Sequence, residues 1–365
     1  MTGSSGPMGL PGDSYDVTEA GTCTLVFDSQ QEQLVDSWVS LSGTLGNCAG
    51  GVTPWGTWLT CEEAVFSPAL NHLPVPNRQI FWDTGNARKE HGFVFEVPGE
   101  GKAHPVPITA MGQFYHEAAA VDPVSGIVYM TEDTGPRSGF YRFVPHRPGK
   151  LAEGGRLQMM KVGNGIDLRT RIPAGREWPV SWLDIDEPEK GFTPGNRNGD
   201  GVVTQGLKAG GSPFVALEGC VFDQDKVYFT SKNGGKAGAG CVFEYQPRLE
   251  LIRLLLESNG HDLISGPDNI VISPRGSLVI CEDRLSRDKG SQRILGLDGK
   301  GNLFPFCQAN PGLDAEFGGH DLRRTALTSE WAGVTFSVDG TWLFCNLFNP
   351  GMTMAISGPW QDGLI

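Results

Sequence analysis

The chain has 365 residues and a formal net charge of -13, from 29 Lys and Arg against 42 Asp and Glu. A field of that sign repels phosphate backbones and argues against a nucleic-acid partner. No apolar run approaches the roughly 18–20 residues that cross a bilayer, so no membrane span is expected. The opening Met1-Thr2-Gly3-Ser4-Ser5-Gly6 has neither a basic stretch nor an apolar core, so no signal peptide is expected there. The 51 Gly and 25 Pro fall in short clusters between brief apolar runs, which is how short strands joined by tight turns read. Eight cysteines form no CxxC pair, and several sit inside apolar runs as small buried side chains.

Five segments repeat one plan: a polar anchor, an apolar strand, a turn, a second apolar strand and a polar or acidic end. The first runs from Asn47-Cys48-Ala49-Gly50-Gly51 to Trp58-Leu59-Thr60-Cys61-Glu62-Glu63. The second runs from His116-Glu117-Ala118-Ala119-Ala120 to Val128-Tyr129-Met130-Thr131-Glu132-Asp133. The third joins Glu218-Gly219-Cys220-Val221-Phe222 to Val227-Tyr228-Phe229-Thr230-Ser231-Lys232. The fourth joins Asp268-Asn269-Ile270-Val271-Ile272 to Leu278-Val279-Ile280-Cys281-Glu282-Asp283, and the fifth joins Glu330-Trp331-Ala332-Gly333-Val334 to Trp342-Leu343-Phe344-Cys345-Asn346. Outer strands follow at 139–144 and 240–245. Hairpins repeating every 50–70 residues or so predict an all-β fold, a six-bladed β-propeller with loop insertions. A single domain over 1–365 is expected, with 148–212 as a loop insertion over one face. The sixth blade is expected near Arg293-Ile294-Leu295-Gly296 and Asn302-Leu303-Phe304, or shared between the termini.

The first strand of each propeller blade lines the central channel, so Cys48, Glu117, Glu218, Asp268 and Glu330, alike in repeat position, are expected to converge. Carboxylates held that close repel unless a cation or shared protons offset them, which points to metal. Oxygen donors suit Ca2+ or Mg2+, and the Cys48 thiolate draws in a transition metal, unless Cys61 takes it into a disulfide. The strand-end acids Glu62-Glu63, Glu132-Asp133 and Glu282-Asp283 add a second set, of which only one member per pair can face the site. His116 points the other way from Glu117 and reads as a core histidine or a general acid. Asn196-Arg197-Asn198-Gly199-Asp200-Gly201 opens like a calcium loop, but its twelfth position is Leu207, so a polar turn is expected. No GxSxG, Walker loop or HExxH occurs.

The run 47–63 closely resembles the hallmark of the PhoX-type alkaline phosphatases and their shorter relatives, and the likeness continues through 116–120, 266–269, 330–333 and 350–353. The resemblance implies a six-bladed propeller that hydrolyses phosphomonoesters with Fe3+ and Ca2+, and a periplasmic or secreted location. It makes Cys48, Glu117 and Glu218 the candidate catalytic residues, with Cys48 on iron. The carboxylate ligands it implies beside Cys48 are Glu63, Glu117, Asp133, Glu218, Asp268 and Glu330, to which the strand-end acids add Glu62 and Glu282 as metal candidates, and the partner it implies is a small phosphorylated substrate. One departure stands out. Family members carry an Arg two residues before the Glu matching Glu218, where it grips substrate phosphate; here that residue is Ala216. Loss of such a clamp weakens transition-state binding. Hydrolysis of another ester, or a calcium-stabilised propeller that catalyses nothing, are the competing readings, and Lys208 or Arg197 from the insertion are candidates to replace the clamp.

Overall fold

Each apolar run between turn residues becomes a strand. The computed structural model describes residues 14–74, 84, 86–170, 173, 175–283, 292–310, 316–317, 320–321, 329–349, 351–359 and 363. The fold is nearly all β, and no described helix is long and apolar enough to cross a membrane. Its contacts divide it into two units, Gly3–Asp167 with Trp178–Leu217, and Leu168–Glu177 with Glu218–Ile365.

In the first unit, β1 (Ala20–Asp28) and β2 (Gln33–Thr44) form a two-stranded ribbon. Strands β3 (Asn47–Val52), β4 (Thr57–Glu62) and β5 (Val94–Pro98) pair antiparallel in sequence order. So do β6 (His116–Val121), β7 (Val128–Glu132), β8 (Phe140–Pro145), β9 (Gly155–Val162) and β10 (Glu177–Asp184). The inner strands β3 and β6 meet in parallel at Gly50 and Ala118. They approach so closely that a Cβ on Gly51 would stand 1.7 Å from the Ala119 carbonyl oxygen. Leu59, Phe114, Met130, Tyr141 and Phe143 fill the core between these strands. Each such side chain contributes about 1.5–3 kcal/mol on burial. The stretch 148–212, expected as a loop insertion, instead contains β9, β10 and α1 (Gly201–Lys208). Buried apolar residues such as Leu157, Met159 and Val162 extend the second sheet through it.

In the second unit, β11 (Leu217–Asp223), β12 (Lys226–Ser231), β13 (Cys241–Gln246) and β14 (Leu251–Glu257) follow one another across a sheet. A second sheet holds β15 (Pro267–Ile272), β16 (Leu278–Glu282), β17 (Arg293–Leu297) and β18 (Leu303–Gln308). The short pair β19 (Glu316–Phe317) and β20 (His320–Asp321) precedes a sheet of β21 (Trp331–Phe336), β22 (Trp342–Leu347) and β23 (Met352–Ser357). The residues expected to begin a sixth blade near 293–304 are therefore the outer strands of the fourth hairpin's sheet, because Leu295 pairs with Ile280 on one side and Pro305 on the other. The hairpin outer strands expected at 139–144 and 240–245 are β8 and β13.

Candidate metal centre

Four of the inner strands share one irregularity. The register slips between Cys48 and Gly51, between His116 and Ala119, between Pro267 and Ile270, and between Ala332 and Thr335. A bulge bends a strand and re-aims the side chain it carries, and bulges gather beside functional sites. Glu117 and Asp268 lie inside their slips and Cys48 borders its own, so local backbone geometry presents these donors.

In the first unit Cys48, Glu63 and Glu117 each offer one donor atom, all within 4.8 Å of one another. The Cys48 thiol donates to Glu117 Oε1 at 3.0 Å. Glu117 is buried, whereas Cys48 and Glu63 are half-buried. Cys61 is the cross-strand partner of Cys48, yet no disulfide joins them, so that alternative is not formed.

The second unit gathers Asp268, Asp283 and Glu330 within 4.8 Å of one another, and Glu218 offers an oxygen as close to Asp268. Burial first, then the carboxylates of Asp268 and Asp283, push the Glu330 carboxyl up to about 9, against the opposing pull of Lys232. Such a group gains by binding a cation, which relieves the same repulsion without a proton. Lys232 stands in this cluster, its Nζ 3.5 Å from Asp268 Oδ2 and 3.7 Å from Glu218 Oε1, with a further ion pair to Asp283. The sequence did not single out Lys232, and of the pair Glu282-Asp283 it put Glu282 rather than Asp283 in the ligand set. The signal was the shared strand-end position, which an acid fills in three hairpins and a lysine in the third.

The acids one residue earlier are committed elsewhere. Glu62 accepts from the N–H groups of Leu45 (2.8 Å), Gly92 (2.8 Å) and Phe93 (3.1 Å) and from His91 Nδ1 (2.7 Å). His91 Nε2 lies 3.1 Å from Asp16 Oδ2. Glu282 accepts from Ser265 N–H at 2.8 Å and from Arg293 Nε and Nη2 at 2.8 and 2.6 Å. Glu132 accepts from Gly139 N–H and Tyr141 Oη, each at 2.7 Å, and burial raises it to about 8. The pleat explains the division, since adjacent residues face opposite ways. Glu62 and Glu282, expected among the ligands, thus tie loops and third strands to the strand end. Asp133 joins none of the donor groups found among the described residues.

His116 is fully buried, stacked on Phe114 with Nε2 2.9 Å from Gly112 O, and burial lowers it to about 3. It is placed as a core histidine. Arg197 is buried, donating to Asn71 O and Leu73 O at 3.4 and 3.2 Å. Lys208 is exposed at the end of α1. Asp200 Oδ1 accepts from the Thr193 hydroxyl at 3.0 Å, as in a polar turn. Ala216 is buried with φ +43°, a left-handed backbone that a β-carbon strains.

A family profile described as alkaline phosphatase PhoX matches residues 20–351. The chain belongs to the PhoX family. Among solved structures, Pseudomonas fluorescens PhoX in complex with vanadate, a transition-state analogue, aligns over 98% of this chain and 78% of that one, at 20% identity and a TM-score of 0.61. TolB from Acinetobacter baumannii aligns over 91% of this chain and 64% of that one at 12% identity, with a TM-score of 0.37. No curated protein sequence matches. Membership of the PhoX family makes the chain a metal-dependent phosphatase, a hydrolase of phosphoric esters. The two donor groups fit that dependence, one offering a thiol with carboxylates and the other carboxylates alone.

Proposed function

We propose that the chain hydrolyses small phosphomonoesters with iron at Cys48, Glu63 and Glu117 and calcium at Glu218, Asp268, Asp283 and Glu330, on a six-bladed propeller. The observation that carries the reading is the thiol of Cys48 lying 3.0 Å from Glu117 Oε1 inside a three-donor group. A soft sulfur among hard oxygens suits a transition metal, and an all-carboxylate group suits calcium. Bound cations of this kind supply Lewis-acid stabilisation of the phosphoryl oxygens and lower the pKa of water. The chain's own residues do the positioning. Buried Glu117 is fixed in the bulge of β6, and the Glu62–His91 contact pins the end of β4, which presents Glu63. Among the described residues, five antiparallel arrays of three or more strands, with the ribbon β1–β2 beside them, support a bladed reading.

Elemental analysis beside a p-nitrophenyl phosphate assay on one sample tests the proposal. Iron and calcium with turnover are expected, and Cys48→Ser should lose the iron, its thiolate colour and at least about 100-fold in kcat. Unchanged iron in Cys48→Ser, or full turnover after the metals are stripped, would overturn the assignment.

A further inference from the structure

Two of the three donors in the first unit, Cys48 and Glu63, hang on backbone that Glu62 fastens. Glu62 Oε1 accepts from Leu45 N–H at 2.8 Å, and the next residue, Glu63, donates its own N–H to Gly46 O at 2.8 Å. The turn that leads into Cys48 is thus tied to the strand end that carries Glu63, with Asn47 opposite Glu62 across the hairpin. Glu62 is oriented in turn by His91, whose Nδ1 lies 2.7 Å from Glu62 Oε1 and whose Nε2 lies 3.1 Å from Asp16 Oδ2. All three side chains are buried, and with a carboxylate at each ring nitrogen the imidazole cannot turn without stranding one of them.

Asp16 comes from the segment ahead of β1, and its surroundings allow it one orientation. Oδ2 also accepts from the N–H groups of Arg88 and Lys89 at 2.7 and 2.8 Å, and Oδ1 accepts from Val17 N–H at 2.7 Å. Beside it, Tyr15 packs edge-on against the His91 ring and donates its hydroxyl to Glu90 O at 2.7 Å. The N–H groups of Tyr15 and Asp16 donate to Ser42 O and Gly43 O at 2.9 and 3.0 Å, which lays the segment along β2. We propose that Asp16 is a positioning residue of the Cys48–Glu63–Glu117 group, acting through His91 and Glu62. A buried carboxylate–imidazole–carboxylate chain transmits position because each member has one arrangement that meets all its partners. Partners of this outer kind set metal affinity without touching the ion. The inference rests on the metal reading of the Cys48 group and adds the segment that holds it in place.

Two measurements on the full chain test it, with Co2+ as the probe because its charge-transfer band reports the Cys48 thiolate and should be absent from Cys48→Ser. In the first, Co2+ is titrated into metal-stripped wild type and Asp16→Asn, and Tm is read beside the band. The variant keeps the size of the side chain, loses its charge and turns one acceptor oxygen into a donor facing N–H groups. It is expected to need about 10-fold more Co2+ for half-saturation, the scale for a lost outer partner. A lower Tm with an unchanged half-saturation point would overturn the proposal and leave Asp16 a structural residue. The second needs no variant and decides the matter if Asp16→Asn does not fold. Coupling is reciprocal, so Co2+ should slow hydrogen exchange at the Arg88 and Lys89 amides of wild type, and equal rates with and without Co2+ refute it. Wild type without a cobalt–thiolate band fails the metal reading, whereas a band with unmoved half-saturation or unmoved exchange fails this inference alone.

Discussion

Glu62 and Glu63 are neighbours in the chain, and the pleat of β4 gives one to the interior and the other to the donor group. Removing the Glu62 carboxylate strands the N–H groups of Leu45, Gly92 and Phe93 and a buried imidazole. Breaking one partner of such a buried set costs about 3–5 kcal/mol. Glu62→Ala should show that loss in urea unfolding, while Glu63→Ala unfolds near wild type when metal-stripped yet holds less metal by elemental analysis; equal stability of the two stripped variants would contradict the division. The sequence told that one acid of each pair faces the site, but not which. That choice depends on partners far along the chain, His91 for Glu62 and Arg293 for Glu282, which no local pattern reveals. His91 also sets a pH dependence. Burial opposes its charge, but Glu62 and Asp16 outweigh burial and raise its pKa above the ordinary value. Its contribution is complete below about pH 6.5 and disappears as pH climbs through the raised folded value. Glu132, raised to about 8, acts in the same sense. Unfolding free energies from pH 5 to 9 should fall for wild type and fall less for His91→Gln; parallel curves would remove His91 from the account.

At the scale of elements, repetition made the five hairpins legible, because apolar runs of fixed length between turns have few other readings. The bulges were not legible. A slip between Cys48 and Gly51 leaves the apolar pattern of β3 intact and appears only when β4 is laid beside it. The outer strands β17 and β18 were misplaced for a related reason: a strand's sheet is decided by its partner, and Leu295 finds Ile280. The closeness of β3 and β6 gives the element-scale prediction. A methyl on Gly51 would meet the Ala119 carbonyl at 1.7 Å, whereas one on Gly56 meets nothing within 4 Å and bears only the strain of φ +81°. Gly56→Ala should cost about 1–2 kcal/mol and keep its metals. Gly51→Ala should exceed the roughly 1–3 kcal/mol of ordinary overpacking, because backbone must move. That movement would draw Cys48 away from Glu117, so iron content should fall with stability. A Gly51→Ala protein with full iron and wild-type Tm would show that the two strands can part without disturbing the site.

At the scale of the whole molecule, family and activity were legible because the anchor run 47–63 is long and specific, while the ligand set needed the structure. Net charge of -13 and two clusters of acids, one in each unit, set the last expectation. Protons and cations compete for the same oxygens, so cation binding tightens as pH rises. The Glu330 carboxyl, pushed up to about 9 by burial and by Asp268 and Asp283, is the clearest case. Near pH 5 protons already relieve part of the repulsion, and stripping the cations there removes little. Near pH 8, close to the raised Glu330 value, a cation displaces that proton at far less cost than near pH 5, so it binds more tightly and its removal costs the fold more. The fall in Tm caused by a chelator should therefore be several-fold larger at pH 8 than at pH 5, and added calcium should reverse most of it. Equal falls at both pH values would mean that these carboxylates do not share their oxygens between protons and cations, and the clusters would lose their claim to be the metal centre.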